Sequence, residues 1–205
     1  MIYAQDQRVA DSLVVIYNQN KLDGIQKLEL LNELSFNEIN NYSLSLKYAE
    51  ELIALANLEN SIIYACRGYE HLGNVNRLLG NLDLALNSYF KAAEMAEKGN
   101  LNTQKGVAIM AVADVYSEMG NSANAENYYN IAIEILRDSD DQISLATALL
   151  NAGDDAFNNE NFDKALLYFE ESGFIFKTEN YLIGTAYNLG NIGMVYAEQE
   201  KDDLA

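Results

Sequence analysis

Apolar residues between Val107 and Leu136 fall three and four positions apart in two runs, parted by a glycine and an asparagine. Val107, Ile109, Ala111, Val112, Val115 and Tyr116 give the first run an apolar face. Ala125, Tyr128, Tyr129, Ala132, Ile133 and Leu136 give the second run another. This spacing fits a helix of 3.6 residues per turn and not a strand. Gly120 between them tolerates positive φ, the usual way to end a helix. Asn121 follows as an N-cap, as do Asn81 and Asn161 in their own segments. The same pattern predicts a helix near 6–19, then pairs near 24–39/42–57, 61–79/82–98, 102–119/122–137 and 141–158/162–176. A last helix runs from about 181 to 199. The joining segments, such as Glu97–Asn102 and Asp138–Asp141, are short and polar.

The pattern repeats. Gly73, Ala113, Gly153 and Gly193 stand 40 residues apart. Ala85, Ala125, Ala165 and Ala205 keep the same step, which Ser45 extends backwards. Asn41, Asn81, Asn121 and Asn161 form a third series, with Lys201 at its fifth place, and Tyr89, Tyr129 and Phe169 a fourth, with Ala49 at its head. Four series at one period define a repeat protein. The expected fold is an all-α, right-handed superhelical array of antiparallel helix pairs, a single domain over residues 1–205. It comprises an extra N-terminal helix (6–19), repeats at about 24–57, 61–98, 102–137 and 141–176, and a half repeat at 181–205. Stacked repeats bury each other's faces, so about three are needed for stability. The near absence of alternating segments disposes of a β-propeller of the same period.

Composition agrees. There is no proline, where an average chain this long carries roughly ten, and only 12 glycines. Hydrophobic residues make up 49% and charged residues 21%, enough to build a core. The net charge of −18 argues against nucleic acid, whose phosphates need a basic surface. It is uneven, −5 over residues 1–100 and −13 over 101–205. A basic partner segment on the C-terminal half is one reading of that imbalance; an acidic, solvated face that keeps the array soluble is the other. A single cysteine, Cys66, excludes an internal disulfide, and no apolar run approaches the ~18 residues of a membrane span.

Leu72-Gly73-x-x-Asn76…Gly80…Ala85…Tyr89…Ala92 resembles the tetratricopeptide repeat. So do Val112-Ala113-x-x-Tyr116…Gly120…Ala125…Tyr129…Ala132 and, more weakly, Ala152-Gly153-x-x-Ala156…Ala165…Phe169…Ser172. Small residues sit where paired helices cross closely, and the aromatic fills the gap between repeats. The period is 40 against the family's 34, Tyr69, Ile109, Leu149 and Leu189 replace the signature Trp, and the terminal Pro is missing. HEAT or armadillo arrays share the period but not the small–aromatic–small frame. Residues Leu30–Ser35 with Ser43–Glu51, and Ile183–Gln199, are similar to sensory modules attached to bacterial class III adenylate/guanylate cyclases, and similar modules precede histidine kinases. That resemblance implies a protein- or peptide-binding regulatory module of a larger bacterial signalling protein, with no cofactor.

Catalytic signatures are missing. His71 and Cys66 are five residues apart on one helix, hence on different faces. Asp138-Ser139-Asp140-Asp141 lacks the Gly and Glu of a calcium loop, and Asp141 reads as an N-cap. Gly190-x-x-Gly193 lies inside a helix, and neither GxxxxGK[ST] nor HExxH occurs. The chain reads as non-enzymatic. By the resemblance, ligands lie on the concave surface lined by first helices. Arg67, Glu70, Asn74 and Arg77 would line it, then Met110 and Asp114, Leu150, Asp154 and Phe157, and Tyr187 and Met194. Arg67, Asn74 and Arg77 are the candidates for gripping a carboxylate. The family's chaperone-tail clamp requires basic residues where Glu70 and Thr147 stand, so that activity is excluded.

Two further expectations concern the ends. Ile2-Tyr3-Ala4-Gln5-Asp6 resembles the end of a bacterial secretory signal, which would place the module outside the cytoplasmic membrane; an ordinary cytoplasmic start is the alternative. Ala205 occupies the place of Ala85, Ala125 and Ala165 inside a second helix. The chain then reads as a fragment, with Leu189, Ile192, Val195 and Tyr196 partly uncovered and self-association expected through residues 181–205.

Overall fold

The computed structural model describes residues 5–38 and 40–199, so the expectations resting on Ile2, Tyr3, Ala4, Lys201 and Ala205 lie outside the described residues. The helices are α1 (Gln7–Gln19), α2 (Gly24–Asn37), α3 (Tyr42–Leu58), α4 (Ile62–Leu78) and α5 (Leu82–Lys98). They continue with α6 (Asn102–Glu118), α7 (Ser122–Arg137), α8 (Gln142–Asn158), α9 (Phe162–Thr178) and α10 (Leu182–Glu198). Every predicted helix forms, with ends within two residues of expectation, and no strand occurs among the described residues.

The turns show why the period is so regular. Asn60, Gly80, Asn100, Gly120, Glu160 and Asn180 all have φ between 53° and 74°. After each, the next N–H reaches back five residues, as in Ser61 to Ala56 O, Asn121 to Tyr116 O and Tyr181 to Phe176 O. This closes the helix by a left-handed cap, with the expected Gly or Asn at five of these places and Glu160 at the sixth. Asn41, Asn121, Asp141 and Asn161 then cap the following helix, accepting from the N–H of Leu44, Asn124, Ser144 and Lys164. Asn81 departs from this expectation. It sits at the N-cap of α5 but makes no side-chain cap bond, its amide lying instead 3.5 Å from Asn76 Oδ1.

The chain forms two compact units, divided between Gln104 and Lys105 in the first turn of α6. In the first unit, Leu28, Leu31, Leu34, Tyr48 and Leu52 make a core among α2, α3 and α4. Helix α1 is fastened to it at both ends. The Asp6 N–H donates to Asn37 Oδ1 (3.0 Å), and the Tyr17 hydroxyl donates to the Glu51 carboxylate (2.9 Å) while its ring meets Tyr48 edge-on. Where α4 crosses α5, the Tyr89 ring lies on Gly73, so close that a Cβ there would stand 2.4 Å from Tyr89 Cε1.

In the second unit, Tyr129, Leu136, Leu145 and Leu149 form the core around α7 and α8. Phe169 covers Gly153 as Tyr89 covers Gly73, and it is buried with Ala156, Ala165 and Val195. Val195 was expected to be partly uncovered. It is fully buried, because α10 turns it towards α8 and α9, whereas Leu189 is 64% exposed.

Candidate functional site

In the first unit, Arg67, Glu70, Asn74 and Arg77 share one face of α4, as their spacing requires. The Arg67 guanidinium lies over the Tyr64 ring, 5.4 Å from its centre. The Asn74 Oδ1 accepts the Tyr89 hydroxyl at 2.7 Å, so its carbonyl is committed to holding the ring that seals Gly73. Glu70 Oε1 lies 3.6 Å from the Cys66 thiol, which also faces Ala92 O at 3.4 Å. Burial pushes the Glu70 carboxyl up to about 7, against the thiol and Arg67, which pull it down. Burial and the Glu70 charge raise the Cys66 thiol, which stays protonated. His71 looks the other way. Its Nε2 lies 3.1 Å from Asn32 Oδ1, and burial lowers its pKa to about 4, so the neutral ring donates through Nε2.

Glu70 therefore gives a pH signature. Its native pKa lies above its unfolded value, so the native state binds the extra proton and stability falls as pH rises from about 4.5 through about 7. Glu70→Gln keeps an acceptor for the thiol and removes that loss. The variant should be more stable than the parent at pH 8, on the order of 1 kcal/mol after discounting for its partial exposure, and equal to it below pH 4.5. Unfolding curves at the two pH values decide it; an equal difference at both overturns the assignment.

The second unit carries a different face. Asp114 on α6 and Asp154 on α8 occupy the same place in successive repeats. Asp114 Oδ1 accepts from the Tyr129 hydroxyl (2.7 Å) and from Asn151 Nδ2 (3.1 Å) on α8. Asp154 Oδ1 accepts from Asn191 Nδ2 on α10. Each carboxylate is thus held by the amide 37 residues on. Burial raises Asp154 to about 6; the Asn191 amide opposes that rise and the Asp114 charge adds to it. Among the described residues, nothing donates to Asp154 Oδ2.

The other expected groove residues are placed differently. Met110, Leu150 and Phe157 are half-buried against the core, Phe157 with its ring 5.7 Å from that of Phe162. Tyr187 and Met194 are exposed on α10. The sequence marked Tyr129 only as a packing aromatic and did not pair Asn191 with an acid, although the 40-residue step from Asn151 to Asn191 matches that from Asp114 to Asp154. A separate hollow of about 320 Å³ lies among α7, α8 and α9. Its charged groups are already paired, Lys164 with Glu126 and Asp155 with the Ser117 hydroxyl. No cluster of three metal-ligating side chains occurs among the described residues, and no described helix is long and apolar enough to cross a membrane.

Residues 106–172 match the tetratricopeptide repeat model. Over that stretch the chain carries tetratricopeptide repeats. Solved structures with the same fold confirm the architecture beyond that stretch. BtubC from P. vanneervenii superposes with a TM-score of 0.75 at 16% identity, over 97% of this chain and 83% of its own. A Rap protein complexed with Competence and Sporulation Factor gives 0.76 at 17% identity, over 96% of this chain but 56% of its own. A signal transduction ATPase with a tetratricopeptide repeat sensor, from Pyrococcus horikoshii, gives 0.75 at 16%, over 93% of this chain and 31% of its own. The repeat chain thus spans about half of the Rap protein and under a third of the ATPase. No curated protein sequence matches it significantly.

Proposed function

We propose that this chain is a non-catalytic docking module that takes a protein or peptide segment, and that the segment carries a basic side chain seated between Asp114 and Asp154. The observation that carries this reading is the pair of carboxylates on successive first helices, aimed by Asn151 and Asn191, with Asp154 Oδ2 open. Two acids that repel each other in a partly desolvated place favour a cation over water. The −13 charge of residues 101–205 steers a basic segment towards that half. The Rap and sensor-ATPase folds, one seen with a bound factor, support a regulatory role. The resemblance of Leu30–Ser35 and Ile183–Gln199 supports membership in a larger bacterial signalling protein, a nucleotide cyclase before a histidine kinase.

The test is titration of a labelled lysine–alanine nonapeptide into the 205-residue chain. Binding should strengthen about tenfold from pH 5 to pH 7 as Asp154 loses its proton, and weaken with salt. Asp154→Asn should lower affinity at pH 7 by about tenfold or more, while Arg67→Ala with Arg77→Ala leaves it unchanged. Preference for a glutamate–alanine peptide, lost with Arg67 and Arg77, would instead establish the α4 face as the site. Binding neither peptide would favour a passive scaffold.

A further inference from the structure

Among the described helices, α10 stands apart in what it shows to solvent. Leu182, Ile183, Tyr187, Leu189 and Met194 are between 49% and 79% exposed. In a chain of net charge −18, its residues from Leu182 to Ala197 include no Asp, Glu, Lys or Arg. Elsewhere in the fold, large aromatic rings seat on helical glycines, Tyr89 on Gly73 and Phe169 on Gly153. On α10 both halves of that arrangement are present and unused. Tyr187 is 67% exposed, and a Cβ at Gly190 would meet nothing within 4 Å.

We infer that α10 pairs with α10 of a second copy of this chain, antiparallel about a two-fold axis. In a two-fold contact, residue i meets j and j meets i. The exposed stripe Ile183, Tyr187, Gly190, Met194 is self-complementary under such pairing. Setting Tyr187 on the partner copy's Gly190 places Ile183 against the partner copy's Met194, and both relations recur across the axis. Each large ring meets a gap and each aliphatic chain meets another. Charge selects the same helix. Two copies repel each other through acidic surfaces, and least along the uncharged stretch of α10. The area sets the strength. One pair of helices about 25 Å long covers well under the ~800 Å² per partner of a stable complex, so the dimer is weak and forms at high concentration.

Sedimentation equilibrium of the 205-residue chain, over a thousandfold range of concentration, should show the mass rising from 22.9 kDa towards twice that value. Raising NaCl should strengthen the association several-fold as the repulsion is screened. Gly190→Glu should remain monomeric with an unchanged helical circular dichroism spectrum. Orientation is read by cross-linking, since native Cys66 is buried. A mixture of Ile183→Cys and Met194→Cys chains should form disulfide dimers at least tenfold faster than either variant alone. A monomer at every concentration overturns the pairing, as does Gly190→Glu associating like the parent. Homotypic cross-links as fast as the mixed ones overturn its antiparallel sense.

Discussion

Replacing Phe169 with Ala is expected to destabilise the unit from Lys105 onward by about 3–5 kcal/mol. The ring is 1% exposed, covers Gly153, and closes the cluster of Ala156, Ala165 and Val195. Ala156, Ala165 and Gly153 beside it are too short to fill the space it leaves. The loss is therefore transfer free energy together with an unrelaxed cavity, the costly end of large-to-small substitutions. Hydrogen exchange of peptides from α8, α9 and α10 reads this unit alone, avoiding the question of whether both units melt together. Protection there should fall by two orders of magnitude or more, while the amides of α2 to α4 are unchanged. A loss below 1 kcal/mol would show that the ring is not what holds the α8–α9 crossing.

The reciprocal change works from the other side of the same contact. Gly153→Val should cost about 3 kcal/mol, the upper end for overpacking a filled site. A Cβ at 153 already lies 2.4 Å from Phe169 Cε1 and 2.6 Å from Cδ1, and valine adds two methyl groups. The ring cannot yield, being enclosed on its far side. Gly190→Ala on α10 is the control. Its Cβ meets nothing within 4 Å, so the variant should gain up to about 1 kcal/mol from helix propensity alone. Thermal unfolding at low concentration, where the chain is monomeric, should give opposite signs for the two glycines. Equal signs would mean that the crossing at Gly153 has room for a side chain.

Half of the acidic face was legible in the sequence. Asp114 and Asp154 were placed on first helices by spacing, and on the ligand-facing side by the resemblance. Their pairing with Tyr129 and Asn191 was not legible, because a hydrogen bond between helices depends on the crossing angle and side-chain direction, neither of which a single helix encodes. Arg67, Asn74 and Arg77 show the same division. Their shared face was read correctly, yet Asn74 is engaged by Tyr89 and Arg67 lies over Tyr64. Shared position is a property of the helix; availability is a property of its neighbours.

What the amino-acid sequence determined by itself is the local and periodic part. Apolar spacing set the helices, Gly and Asn at positive φ set the turns, and the 40-residue series of small residue, asparagine and aromatic set the repeat. These are decided within a few residues of chain, where backbone geometry leaves little choice. The tertiary structure decided which faces became inside. Val195 is buried and Leu189 exposed on the same apolar helix, because α8 and α9 lie on one side of α10 only. Asn81 gave up its cap bond and lies near Asn76. Asp154 gained a raised pKa only when burial and the Asp114 charge met it. Burial and charge are sums over everything nearby, and what is nearby is known only once the helices have packed.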